Sequence, residues 1–211
     1  MKKLLIIILL LTTFQQVKAQ KKAITDTGDE VILYDNGTWI YSDSNQKTET
    51  KELVLNTKEF NKNSEASFLL KSTRVKTGLW LNPNKWNFSK AKDNEEAEYQ
   101  IVQKNGGIYG LIINEKVEIP LKSLKNIVLE NAKNAAPDAV ITHEEYRMVN
   151  GIKVMQLDIL GTIQGIKFAY FGYYYSNSKG TTQLLTYTSQ NLMKEYRNDC
   201  EELLNGLVEI E

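Results

Sequence analysis

From Ile166 to Ser176 the chain sets apolar or aromatic side chains on both faces of one strand. Ile166, Phe168, Tyr170 and Tyr174 fall on one side, and Ala169, Phe171, Tyr173 and Tyr175 on the other. A strand with one wet face alternates apolar with polar residues, so this segment predicts a central strand covered on both sides. Its neighbours recur at regular intervals, over Ala139 to Met148, Lys153 to Leu160 and Thr181 to Thr186. The turns between them fall at Asn150-Gly151, Gly161 to Gly165 and Asn177 to Gly180. Connections this short require antiparallel pairing.

Two helices accompany these strands. Leu121, Leu124, Ile127, Val128, Ala132 and Ala135 make a stripe at helical spacing, with Pro120 at its start and Pro137 at its end. A second helix spans about Gln190 to Asn205, burying Leu192, Tyr196, Leu203 and Leu207, with Gly206 as its expected C-cap. Earlier short strands cover Phe68 to Val75, Gly78 to Leu81, Lys85 to Phe88, Ala97 to Gln103 and Ile108 to Ile113. The expected fold class is α+β. An antiparallel sheet carries helices on both faces, a three-layer sandwich, and a small β-hairpin precedes it.

That hairpin is read between Ala23 and Tyr41. Val31 to Tyr34 and Thr38 to Tyr41 flank Asp35-Asn36-Gly37, and Asn-Gly accepts the positive φ angles of a type I′ turn. Thr27-Gly28-Asp29 supplies an earlier turn, which allows a three-stranded meander. A lone hairpin is marginal in water, so the unit must dock, meet a partner or be partly ordered. Ahead of it, Lys2 and Lys3 precede eight unbroken aliphatic residues, Leu4 to Leu11, and Val17-Lys18-Ala19 offers a cleavage site after Ala19. A spanning helix needs roughly 20 apolar residues, more than this run provides. The organisation read from the chain is therefore a signal peptide over 1–19, a hairpin module over 20–43, a polar linker over 44–66 and the α+β domain over 67–211. The expected location is periplasmic or secreted, with no membrane insertion after cleavage.

Removing Lys2, Lys3 and Lys18 with the leader leaves 23 basic residues against 26 acidic, a net charge near −3. No Lys/Arg run longer than two follows the cut. Nucleic-acid binding has no electrostatic basis here. Cys200 is the lone cysteine, so no intramolecular disulfide forms in an oxidising compartment, and stability must come from packing.

The order of elements resembles the PsbP-like superfamily. The residues that carry the likeness begin with Gly78-Leu79-Trp80 and Pro83-Asn84-Lys85-Trp86. The closing run is the stronger match, from Gly165 to Tyr170, Gly180 to Leu184, Thr186 to Thr188 and Leu204-Asn205-Gly206. The likeness covers roughly Phe68 to Ile210 and implies an α/β/α sandwich. Photosynthetic members assist an inorganic cluster, but no matching ligand set is present and no site is carried over. The Gly28 to Tyr41 spacing also resembles a short module at the start of exported Bacteroidetes proteins.

His143 alternates with Glu145 on a strand without a second histidine, which fits a solvated strand edge better than a metal site. A nucleophile turn of the Gly-x-Ser-x-Gly kind is absent. Cys200 shares a helix side with Tyr196 and Leu203 and reads as a small core residue. Glu95, Glu96, Glu98, Glu115 and Glu118 fall in charged turns, where solubility explains them. Nothing assigns a catalytic residue, a metal ligand or a cofactor. The aromatic set remains: Trp39, Trp80, Trp86, Tyr170, Tyr173 and Tyr175 form the candidate contact surface, with an ordinary core as the competing reading. The leading expectation is a non-enzymatic binding or accessory domain for an envelope protein or a small ligand. The alternative is a hydrolase or metal-dependent enzyme whose residues are scattered along the chain.

Overall fold

The computed structural model describes residues 21–25, 28–34, 39–42, 53–92 and 94–211. The leader, the Asn36-Gly37 turn and residues 43–52 lie outside the described residues. Contacts divide the chain into an N-terminal unit and a main unit. In the first, Lys21–Ile24 (β1), Glu30–Leu33 (β2) and Trp39–Tyr41 (β3) form an antiparallel sheet in the order β1-β2-β3. The carboxylate of Glu30 fastens it, accepting from the Ser42 hydroxyl at 2.6 Å and the Lys22 ammonium at 2.9 Å.

The main unit begins with Leu55–Phe60 (β4), Phe68–Lys71 (β5), Thr77–Leu81 (β6), Trp86–Lys90 (β7), Ala97–Gln103 (β8) and Tyr109–Glu115 (β9). The helix Leu121–Ala135 (α1) follows, then Val140–Val149 (β10), Ile152–Ile163 (β11), Ile166–Asn177 (β12) and Gly180–Ser189 (β13). The chain closes with the helix Gln190–Leu204 (α2) and Leu207–Glu209 (β14). Eight strands make the large sheet in the order β4-β10-β11-β12-β13-β9-β8-β7, which places the doubly apolar β12 at its centre. All its pairs are antiparallel except β4 with β10.

Two connections follow from backbone chemistry. Asn150 and Gly151 have φ of 47° and 84°, and Gln164 and Gly165 have 50° and 82°, so both hairpins turn on two residues with positive φ. The second turn is tighter than the expected Gly161 to Gly165 stretch because β11 continues to Ile163, opposite Ile166.

Other differences arise where pairing is remote in sequence. Part of the expected 44–66 linker is strand: β4 pairs with β10 and buries Phe60, a long-range pairing that local polarity hides. β5 and β6 join β14 in a separate three-stranded sheet, order β14-β6-β5. Gly206, expected as a left-handed cap, shows no positive φ; α2 ends at Asn205 in right-handed helical geometry. Its glycine is required by close approach, since a Cβ there would lie 1.9 Å from the Trp80 carbonyl oxygen. The Trp80 N–H donates to the Gly206 carbonyl at 2.8 Å, so the two backbones cannot part. Gly206→Ala is accordingly expected to cost about 1–3 kcal/mol, measured by urea denaturation.

Alternate residues of the large sheet enter different cores. Met155, Leu157, Ile159, Phe168 and Tyr174 share one with Leu124 and Val128 of α1. Phe171, Tyr173, Tyr175 and Leu184 share the other with Cys200, Leu203 and Leu204 of α2 and with Leu70, Leu79, Leu81 and Leu207 of the small sheet. The two sides of the sheet are named below by Tyr174 and Tyr173.

Candidate functional site

The six aromatic residues singled out in the sequence do not converge. Trp86 is 3% exposed, Tyr173 0% and Tyr175 8%, so these three are core and not contact surface. Tyr173 donates its hydroxyl to Asn205 Oδ1 at 2.9 Å, and burial pushes it up to about 12. Tyr175 donates to Glu209 at 2.8 Å, and burial followed by that bond pushes it up to about 12 as well. Both hydroxyls find partners inside the fold, which lets tyrosine serve where phenylalanine was the simpler choice. Trp80 is half-buried, with the Lys62 ammonium 5.1 Å from its ring centre. Trp39 belongs to the N-terminal unit, is half-exposed, and meets Tyr41 edge-on at 5.3 Å.

Tyr170 leads to a surface the sequence did not reveal. Register places Tyr170 opposite Tyr187 and Tyr187 opposite Tyr109, all on the Tyr174 face. Their rings form a row, with centroids 5.3 Å apart for Tyr170–Tyr187 and 5.6 Å for the stacked Tyr187–Tyr109 pair; Phe168 extends it at 4.8 Å from Tyr170. α1 packs on β10, β11 and β12. The β13-β9-β8 part of this face carries Tyr187, Tyr109, Leu111, Ile113 and Val102, and none of them enters either buried core. Tyr109 is 47% exposed and ends the row in solvent. Its signal in the sequence was an aromatic residue in a hairpin strand, but only strand register brings Tyr109 against Tyr187.

The Tyr173 face carries a network of charges that sequence reasoning also missed. His143, Glu145 and Arg147 alternate along β10, and Gln156 and Asp158 lie beside them on β11. Arg147, 6% exposed, donates to the Glu145 carboxylate, to the Tyr173 hydroxyl at 2.9 Å and to Glu201 at 3.3 Å. Its guanidinium also lies 4.3 Å from the Phe60 ring centre. Burial opposes the Glu145 charge, yet the bonds from Arg147 and Asn56 hold its carboxyl below the usual range. Arg197 bonds Asp158 at 2.8 Å and stacks 3.7 Å from the Phe171 ring centre. His143 is half-exposed, as expected of a strand edge, with Nε2 3.7 Å from Glu145. Cys200 is fully buried and burial pushes its thiol up to about 11, so it is protonated at neutral pH and unsuited to nucleophilic attack.

Glu98 does not lie in a solvated turn. It is buried on β8, accepting from the Ser72 hydroxyl at 2.7 Å, the Thr73 N–H at 2.6 Å, the Thr73 hydroxyl at 2.8 Å and Asn114 at 2.8 Å. Four donors make it an anchor for the turn after β5, whereas its run of glutamates had suggested a solvated loop. Among the described residues, no three His, Cys, Asp or Glu side chains come together as a metal site, and no helix is long and apolar enough to cross a membrane.

The fold is similar to that of cyanobacterial PsbP (CyanoP) from Synechocystis sp. PCC 6803. The likeness covers 67% of this chain and 91% of that one, with a TM-score of 0.52 at 10% sequence identity. The fold is PsbP-like. A protein of unknown function, PA94 from Pseudomonas aeruginosa, resembles the chain at a TM-score of 0.45 and 13% identity over 68% of this chain and 97% of its own. LpqN, involved in cell envelope biogenesis of Mycobacterium tuberculosis, does so at 0.43 and 14% identity over 61% and 80%. No protein-family model matches the sequence, and neither does any curated protein. At such identities the PsbP-like likeness concerns the fold, and function must be argued from this chain's own surfaces.

Proposed function

We propose that this chain is an exported, non-enzymatic binding or accessory domain acting in the periplasm or outside the cell. The basic, aliphatic and small-residue succession of Met1 to Ala19 supports export. The two separate cores support a three-layer helix–sheet–helix reading of the main domain, which then runs from β4 to β14, with β1–β3 as a separate module. The ionisable groups of the Tyr173 face are bonded to one another, which favours a structural role over a catalytic one.

The Tyr170–Tyr187–Tyr109 row carries the reading. Tyrosine supplies a large contact area with a polar tip at small entropic cost, which is why it anchors protein interfaces. An envelope protein is the partner this surface suits. The test is capture of partners from the cell's own envelope fraction by the protein lacking residues 1–19. Tyr109→Ser with Tyr187→Ser is expected to reduce capture at least tenfold, roughly the 1.4 kcal/mol at which an interface contact matters, with the unfolding midpoint nearly unchanged. Full capture by that variant, together with loss on deleting residues 20–43, would move the contact surface to the N-terminal sheet.

A further inference from the structure

A groove of about 330 Å³ is lined by Asn61 and Asn63 from the loop after β4 and by Asn198, Glu201, Glu202 and Asn205 along α2. We propose that it binds a neutral saccharide, a ligand that the tyrosine row does not explain.

The lining is made wholly of planar amides and carboxylates. Among the described residues, the exposed Asn61 and Asn198 side chains form no hydrogen bond within the protein, so both amides are free to donate and accept. The other groups are held in place while keeping one end uncommitted. Glu201 accepts from Arg147 through Oε2 at 3.3 Å, and Glu202 accepts from Lys85 through Oε2 at 2.8 Å. Asn205 accepts the Tyr173 hydroxyl on Oδ1 at 2.9 Å, and its backbone carbonyl accepts from Asn150 at 2.7 Å. Asn63 uses Oδ1 for the Glu65 N–H at 3.0 Å. What remains is Nδ2 of Asn63 and Asn205, Oε1 of both glutamates and the two free amides. Donors and acceptors thus lie side by side on rigid supports, an arrangement that pairs with adjacent ring hydroxyls, each of which both donates and accepts.

Charge decides against a cation. Each carboxylate already faces its own cation, Arg147 or Lys85, so a divalent ion must displace one of them to gain a full oxygen shell. The volume is at the low end of the roughly 300–1,000 Å³ of small-molecule sites and suits one or two pyranose rings.

The experiment follows the side-chain amide signals of Asn61 and Asn198 by NMR in the protein lacking residues 1–19. Methyl α-mannoside, maltotriose, diacetylchitobiose and calcium chloride are titrated separately. At least one saccharide is expected to shift both amides with a Kd of about 1–10 mM. Asn198→Ala and Asn61→Ala, both at exposed positions, should each weaken it severalfold, while Tyr109→Ser with Tyr187→Ser leaves it unchanged. The proposal is overturned if no saccharide moves either amide at about 50 mM, a concentration that saturates millimolar sites, or if calcium alone does so.

Discussion

Arg147→Ala is expected to cost about 3–5 kcal/mol, the range for removing one partner of a buried ion pair. For a chain of this length that lowers the unfolding midpoint by roughly 6–20 °C, readable by thermal circular dichroism. Truncation strands the Glu145 charge with Asn56 as its remaining donor, removes a donor from Glu201 and Tyr173, and empties the space beside Phe60. The loss comes mainly from the orphaned carboxylate, since apolar replacement of a whole buried pair is often close to neutral. Arg147→Met with Glu145→Met should therefore recover most of the stability. A double variant as unstable as Arg147→Ala would show that the guanidinium acts through packing instead.

Glu98→Ala is expected to cost about 2–4 kcal/mol, because the buried Asn114 amide and the part-buried donors of Ser72 and Thr73 lose a charged acceptor together. The pH dependence gives a sharper readout. Burial raises the Glu98 carboxyl, but the bonds from Ser72, the Thr73 backbone, Asn114 and the Thr73 hydroxyl outweigh it, so its folded pKa lies below 4.5. The folded state thus favours the ionised form. The contribution is complete above pH 4.5, the ordinary glutamate value, and disappears as pH falls through the lowered folded value. Urea midpoints of wild type and Glu98→Gln should differ at neutral pH and converge in acid. A constant gap down to low pH would contradict this assignment.

The strands β10 to β13, α1 and the face assignment of β12 could be read directly, because short turns and strong periodicity are local signals. Asn150 shows where local reading stops. Its positive φ was foreseeable from Asn-Gly, but its amide also binds the carbonyls of Asn205 and Leu207, and its Oδ1 accepts the Lys62 N–H. That link among β4's loop, α2 and β14 spans most of the chain, and no window of sequence contains it. The same limit hid the pairing of β4 with β10, the separate β5–β6–β14 sheet and the burial of Glu98. In the candidate site, tyrosine abundance points to aromatic residues but does not tell the exposed members from the buried ones. Tyr173 and Tyr175 stand out by density along one strand, whereas exposure is set by what packs above each strand, which favours Tyr109 and Tyr187.

The claim that the tyrosine row is the contact surface is tested most directly by crosslinking in the cells that make the protein. A photoreactive p-benzoylphenylalanine is placed at position 109, and in a second strain at position 133, where the exposed Lys133 belongs to α1 and is not part of the row. The expected result is a discrete adduct with an envelope protein from position 109 and none from position 133. Equal labelling from both positions, or adducts from 133 alone, would contradict it.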